Sequence, residues 1–237
     1  SWRKLLLAHQ TELAQAMKIS PGNFRWRAAF HDEKHHPHVH VMVWSADPKQ
    51  GFLTEQGIEQ MRSQLSNEIF QDELLSLYQQ KELSYGQVRD RVAEVMGRLI
   101  REMETGLCHS PEIGQQIETL AGMLENVNGK KVYGYLPKPV KAQVDTVVDE
   151  LARLPEVAEC YEQWNQLRDE LERYYKDTPR EHRPLSQQKE FKAIKNMVIR
   201  EAETLRLGTF TFEDTRMRDE ADEDQDAVYY AWHDDWQ

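Results

Sequence analysis

Cysteine is nearly absent: Cys108 and Cys160 are the only two in 237 residues, and they lie far apart. A four-cysteine zinc site is excluded, and two free thiols fit a reducing, cytoplasmic setting. No apolar run approaches the length that spans a bilayer, and no secretory pattern opens the chain, so no membrane partner is expected. An excess of positive charge is missing as well. The net charge of −11 argues against a protein that coats DNA without regard to sequence. One further absence matters below: no tyrosine precedes His31.

The charge that is present is unevenly spread. Residues 1–53 carry 7 Lys+Arg against 4 Asp+Glu, whereas residues 209–237 carry 2 against 10. A local basic site therefore remains available at the N-terminal end. Residues 1–19 read as one helix with an apolar stripe through Leu6, Leu13 and Met17, stopped by Ser20-Pro21-Gly22-Asn23. Residues 24–31 (FRWRAAFH) and 38–44 (HVHVMVW) alternate as strands do. Everything after them has helical spacing. Thr54 suits the N-cap of a helix to about Lys81 whose core stripe is Ile58, Met61, Leu65 and Ile69. Ser84-x-x-Gln87 reads as a capping box opening a second helix with Val88, Val92, Val95, Leu99 and Met103 inward. Ser110-Pro111 starts a third, ended by Asn128-Gly129. Further helices are expected over 138–153, 155–176 and 186–207. The segment from Glu213 is too acidic and too poor in aliphatic residues to fold alone, and disorder is expected until near its end. The expected class is α+β, predominantly helical, with two strands that should pair with further strands or lie against helices.

Five histidines fall between residues 31 and 40, the stretch HDEKHHPHVH. Side chains alternate along a strand, so His38, His40, Met42 and Trp44 share one face while Val39, Val41 and Val43 occupy the other, expected to be anchored in the core. A His-x-His pair aims two imidazoles at one point. A hairpin would bring His31 beside His38, on a face that also holds Arg25 and Arg27. His35 or His36, in the connection, could replace His31 as third ligand. Three neutral imidazoles suit a divalent ion acting as Lewis acid, and neighbouring guanidinium groups suit phosphate. Asp32 or Glu33 could orient a ligating ring from behind.

Taken together, these residues resemble a known family. The run RWRAAFHDEKHHPHVHVMVWSADPKQGFL, with KKVYGYLPK and LSQQKEFKAIKNMVIREAE downstream, is similar to the MobL-type relaxases of mobile elements, within the HUH endonuclease superfamily. The resemblance covers most of the chain. It implies part of an HUH-type antiparallel sheet, followed by a long helical region. On this resemblance, residues 1–105 are the C-terminal part of the relaxase core, 106–212 a helical region and 213–237 an acidic tail. It further implies that His31, His38 and His40 hold a divalent metal ion, Mg²⁺ or Mn²⁺. The implied activity is nicking and rejoining of single-stranded DNA at an origin of transfer, in conjugation or plasmid mobilisation. The reaction passes through a phosphotyrosyl intermediate, with relaxosome accessory proteins as further partners. The sequence departs from the family where the family keeps its tyrosine ahead of the histidines. That nucleophile is expected to lie outside this chain, with Tyr78 the nearest internal candidate.

Two alternatives share these residues: a metal- and DNA-binding module without catalysis, and a metal-dependent phosphoester hydrolase acting through water. Elsewhere, Lys130, Lys131, Tyr133 and Tyr135 interleave charge with aromatic surface as a single-strand contact would, although a helix–helix loop whose tyrosines pack locally is the preferred reading. Lys189, Lys192 and Lys195 read as one solvated helix face.

Overall fold

A computed structural model describes residues 2–32, 37–106, 109–176 and 178–207. Glu33, His35, His36, Cys108 and the whole segment 213–237 lie outside the described residues. In chain order the elements are α1 (Trp2–Ala8), α2 (Gln10–Ala16), β1 (Phe24–His31), β2 (His38–Ser45), α3 (Glu55–Ile69), α4 (Gln71–Thr105), α5 (Pro111–Glu125), α6 (Lys138–Arg153), α7 (Pro155–Arg173) and α8 (Lys192–Leu207). The class is α+β and predominantly helical, with one antiparallel two-stranded sheet among the described residues. Two compact units interleave along the chain: residues 1–86 with 162–182, and residues 87–161 with those from 183 onward.

In the first unit the N-terminal helix is broken at His9, giving α1 and α2. It ends earlier than the Ser20–Asn23 turn that the sequence offers as its stop. Lys18 adopts a left-handed φ of 54°. The Ile19 amide reaches back to the Ala14 carbonyl at 2.8 Å and the Lys18 amide to Gln15 at 2.9 Å. This is the Schellman arrangement with lysine where glycine is usual. It folds Ile19 inward, onto a cluster of Leu6, Leu13, Ala14 and Phe24, against which Trp26, Val43, Met61 and Leu65 pack.

Helix α3 begins as the sequence indicates: the Thr54 hydroxyl accepts the Gly57 amide at 3.1 Å. Its expected apolar stripe is only half used. Met61 and Leu65 are partly buried, Ile58 and Ile69 are exposed, and the buried positions are Gly57 and Ser66. The cause is the close approach of α2, where a Cβ at Gly57 would run into the Ala16 carbonyl oxygen. The helix also stops at Phe70 rather than near Lys81, and α4 then runs unbroken through residue 84. Ser84 therefore opens no helix; it is buried in the middle of α4 with its hydroxyl unpartnered. The remainder of this unit is a cluster of Leu74, Leu77 and Leu171, closed by Tyr78, Leu167, Tyr174 and Tyr175. Arg180 ties the chain back to α7 through Asp169 at 3.1 Å and Asn165 at 2.6 Å.

The second unit is a helical core. Val88, Val92, Val95 and Leu99 are buried as the spacing predicts, and Met103 is half-buried. Helices α5, α6 and α8 pack on one another through Ile117, Leu120 and Leu124, Val144, Val147 and Leu151, and Ile194 and Val198. Pro111 occupies the first turn of α5, although Ser110 makes no side-chain cap. Residues 185–191 form two short 3₁₀ turns, so α8 starts at Lys192 instead of 186. The Asp149 carboxylate accepts both the amide and the hydroxyl of Ser186, at 2.9 and 2.8 Å.

Two substitutions test the packing of the first unit by chemical denaturation. Gly57→Ala should destabilise by about 1–3 kcal/mol from overpacking against α2, although alanine is the better helix former by about 1 kcal/mol; a stabilised variant would contradict the close approach. Lys18→Gly should stabilise by roughly 0.5–1 kcal/mol through relief of the left-handed cost, and a loss of similar size would contradict the Schellman assignment.

A three-histidine cluster on the sheet: candidate metal centre

The register of the sheet fixes the site. Strand β1 pairs with β2 so that His31 faces His38, Ala29 faces His40, Arg27 faces Met42 and Arg25 faces Trp44. All eight side chains belong to one face, because partners across an antiparallel ladder point the same way. The three imidazoles meet there: ring centroids are 5.3 Å apart for His31 and His38, 4.8 Å for His31 and His40, and 4.9 Å for His38 and His40. The Nε2 atoms of His38 and His40 are separated by 3.1 Å. One nitrogen from each ring can be chosen so that all three lie within 4.8 Å of one another.

This geometry fits a metal ion. With metal–nitrogen bonds of about 2.0–2.1 Å, two imidazole nitrogens on one ion stand about 3.0–3.4 Å apart, which the His38–His40 pair already satisfies. His31 would supply the third nitrogen. His31 and His40 are exposed and His38 is half-buried, so the approach is from solvent.

Around the histidines the face is cationic and apolar. Arg27 is exposed, whereas Arg25 folds back and donates to the Gly22 and Phe24 carbonyls at 2.8 and 2.9 Å. Met42 and Trp44 are 69% and 40% exposed. The sequence places both on this face, but nothing in it reveals that they stay uncovered. Asp32 is exposed directly after His31, and Glu33 is outside the described residues.

The opposite face is less buried than the valine pattern implies. Among the described residues the packing is at its base: Phe24 is buried, and Trp26 and Val43 pack on the Leu6–Leu13–Ile19 cluster, with the Trp26 indole donating to Gln10 at 3.3 Å. Further out, Phe30 and Val41 are 54% and 40% exposed and Val39 is half-buried. The sheet stands as a ribbon held at one end, with the histidines at the other.

The remaining candidates lie elsewhere. Tyr78 sits in the Leu74–Leu77–Leu171 cluster, its hydroxyl 3.3 Å from that of Tyr175, which in turn donates to Asn67 at 2.8 Å. In the second unit Lys131 pairs with Glu203 at 2.6 Å. Desolvation pushes the Glu203 carboxyl up, but Arg206 and Lys131 together outweigh it and the net shift is downward. The Tyr133 hydroxyl donates to Asp145 at 2.8 Å, and Lys195, which pairs with the same carboxylate, lies 4.0 Å above the Tyr133 ring. Burial raises the Tyr133 phenol above its ordinary range, and the Asp145 carboxylate adds to this against the pull of Lys195. The Tyr133 hydroxyl and ring are thus both engaged within the second unit. Tyr135 is exposed, with Lys130 5.9 Å from its ring centroid. Lys195 is buried, not part of a solvated face with Lys189 and Lys192. Sequence reading missed the Lys195–Asp145–Tyr133 network, since its members are distant in sequence.

The sheet gathers three imidazoles that could hold a metal ion, beside arginine and tryptophan. The family follows from comparison. A model of the MobL relaxases matches residues 2–233, nearly the whole chain, and the chain belongs to that family. No curated protein and no solved structure matches it. No helix among the described residues is long and apolar enough to cross a membrane.

Calorimetric titration with Mn²⁺ should give one saturable site, abolished in a His38→Ala/His40→Ala variant and weakened by His31→Ala by at least tenfold. Binding should fall on acidification, because imidazole ligates only when neutral. Saturable binding that survives the double substitution would place the ion elsewhere.

Proposed function

We propose that the protein is a mobilisation relaxase that binds single-stranded DNA at an origin of transfer across the histidine face of β1 and β2, in a metal-dependent reaction. The observation that carries the reading is the meeting of His31, His38 and His40 on a face shared with Arg27, Met42 and Trp44. An ion held by the three histidines would supply Lewis-acid polarisation of the scissile phosphate. An all-imidazole donor set favours a transition ion over Mg²⁺, which prefers oxygen ligands. Of the two ions that the family resemblance implies, Mn²⁺ therefore suits the site better.

The chain's own residues bind and orient. Arg27 offers a guanidinium to a backbone phosphate next to the scissile one, and Arg25 offers the donors that its two carbonyl contacts leave over. Trp44 and Met42 give a flat apolar surface on which a base stacks. In the proposed chemistry a tyrosine hydroxyl attacks phosphorus, the bond to the 3′-oxygen breaks, and the strand is left 5′-linked to the tyrosine with a free 3′-hydroxyl. The reverse attack by that hydroxyl rejoins it. We assign the attack to neither Tyr78 nor Tyr133. Tyr78 and Tyr133 already share their hydroxyls with Tyr175 and Asp145.

Fluorescence anisotropy with a labelled single-stranded oligonucleotide tests this. Arg27→Ala should weaken binding roughly tenfold, about 1.4 kcal/mol, and lower the salt slope by about 0.7 for the lost phosphate contact. Trp44→Ala should cost about 1–3 kcal/mol with the salt slope unchanged. Affinity indifferent to both substitutions would remove the sheet face from DNA binding.

A further inference from the structure

We infer that the loop from Gly129 to Lys138 is a second contact for single-stranded nucleic acid. Tyr135 is its stacking platform, and Lys130 and Lys138 meet the phosphates. Single-stranded DNA as the ligand rests on the function proposed above; the site itself needs neither the metal nor the sheet face.

One half of the loop is fixed to the helices of the second unit. Leu136 is buried, the Tyr133 amide donates to the Asn196 side chain at 3.0 Å, and the Tyr133 hydroxyl reaches Asp145. Lys131 is tied to Glu203 on α8, and Lys141 on α6 donates to the Gly134 carbonyl at 3.0 Å. These contacts leave the other half facing outward. Tyr135 closes a 3₁₀ turn, its amide donating to the Val132 carbonyl at 2.9 Å, and is 72% exposed. The Lys130 ammonium lies 5.9 Å from the centroid of its ring. A Cβ at Gly134 would meet nothing within 4 Å, so the chain beside the ring is open to approach. Local packing therefore accounts for Tyr133 and leaves Tyr135 unexplained. A ring already held out by a fixed turn gives up little freedom when a flat ligand stacks on it.

Charge gives the ligand its sign. The chain carries a net charge of −11, yet no Asp or Glu occurs between Glu125 and Asp145, where Lys130, Lys131, Lys138 and Lys141 fall. Lys130 and Lys138 are exposed, and no carboxylate among the described residues pairs with either. Lys138 opens α6 between two prolines, and the first turn of that helix has no acidic residue and no side-chain cap. A helix start favours anions. Lysines there carry the wrong charge for the helix and the right one for a phosphate brought to it. An acidic peptide would satisfy the lysines without using the ring. A single strand uses both, with phosphates on the ammonium groups and a base on the face of Tyr135.

The test is the anisotropy of fluorescein-labelled oligo-dT with the full chain and its Tyr135→Ala, Tyr135→Phe, Lys130→Ala/Lys138→Ala and Trp44→Ala variants. Tyr135→Ala should weaken binding by about fivefold or more with the salt slope unchanged. Tyr135→Phe should keep the affinity, and a loss that it shares overturns the stacking. The double lysine variant should lower the salt slope by about 1.4, for two lost phosphate contacts. With 5-iodouracil in place of thymine, irradiation should join the oligonucleotide to Tyr135, read by mass spectrometry of the digested adduct. Affinity indifferent to Tyr135→Ala, or adducts that spare Tyr135, overturns the inference. If Trp44→Ala weakens binding and Tyr135→Ala does not, the loop falls and the sheet face stands; the reverse pattern removes the sheet face and keeps the loop. A chain that takes up no oligonucleotide overturns both. Poly-glutamate bound as tightly as oligo-dT, with the same loss in Tyr135→Ala, overturns the nucleic-acid reading in favour of an acidic protein partner.

Discussion

The register of one antiparallel pair governs the metal centre proposed for this protein. With His31 opposite His38 and His40 two residues on, three imidazoles converge. A slip by one residue would turn every side chain of one strand to the other face and scatter the cluster. What prevents the slip is local and asymmetric. Phe24, Trp26 and Val43 at the base of the ribbon are held by Leu6, Leu13 and Ile19, and Ile19 reaches that cluster because Lys18 turns the end of α2 back on itself. The far end, where the histidines are, has no comparable packing among the described residues. An isolated two-stranded ribbon is marginally stable in water, so a metal ion shared by both strands would tie together the end that packing leaves loose, and binding and ordering become one free-energy change.

The two compact units divide the tasks. The second holds most of the large, fully buried side chains, including Ile117, Leu120, Leu124, Leu151 and Ile199. There Lys131 pairs with Glu203, and Lys195 and Tyr133 share Asp145. The first carries the strands and most of the exposed large apolar residues, among them Phe30, Met42, Trp44, Phe52 and Leu53. Of these, Met42 and Trp44 lie on the face where the histidines meet, and Phe30 lies on the other.

Much of the site could be read from sequence because it depends on period-2 alternation, which needs no tertiary information. The strand bounds, the shared face of Arg25, Arg27, His31, His38 and His40, the cap at Thr54 and the start of α5 at Pro111 follow from residue type and spacing alone. The errors share a different cause. Ser84 has the pattern of a capping box, but α4 continues through it because packing on both sides outweighs a local preference. Ile58 and Ile69 are at helical spacing with Met61 and Leu65, yet α2 approaches α3 along Gly57, so the buried stripe is turned aside. Val41 and Phe30 alternate as core residues do and remain exposed, since alternation says which face a side chain takes and not whether anything covers it. The helix end at Lys18 was invisible because the left-handed position is filled by lysine instead of glycine.

The most direct measurement is the anomalous diffraction of a crystal of this chain soaked in Mn²⁺. The account predicts one strong peak bonded to His31, His38 and His40, on the face that carries Arg27 and Trp44. No peak there, or an ion held by other residues with the three imidazoles apart, would contradict it.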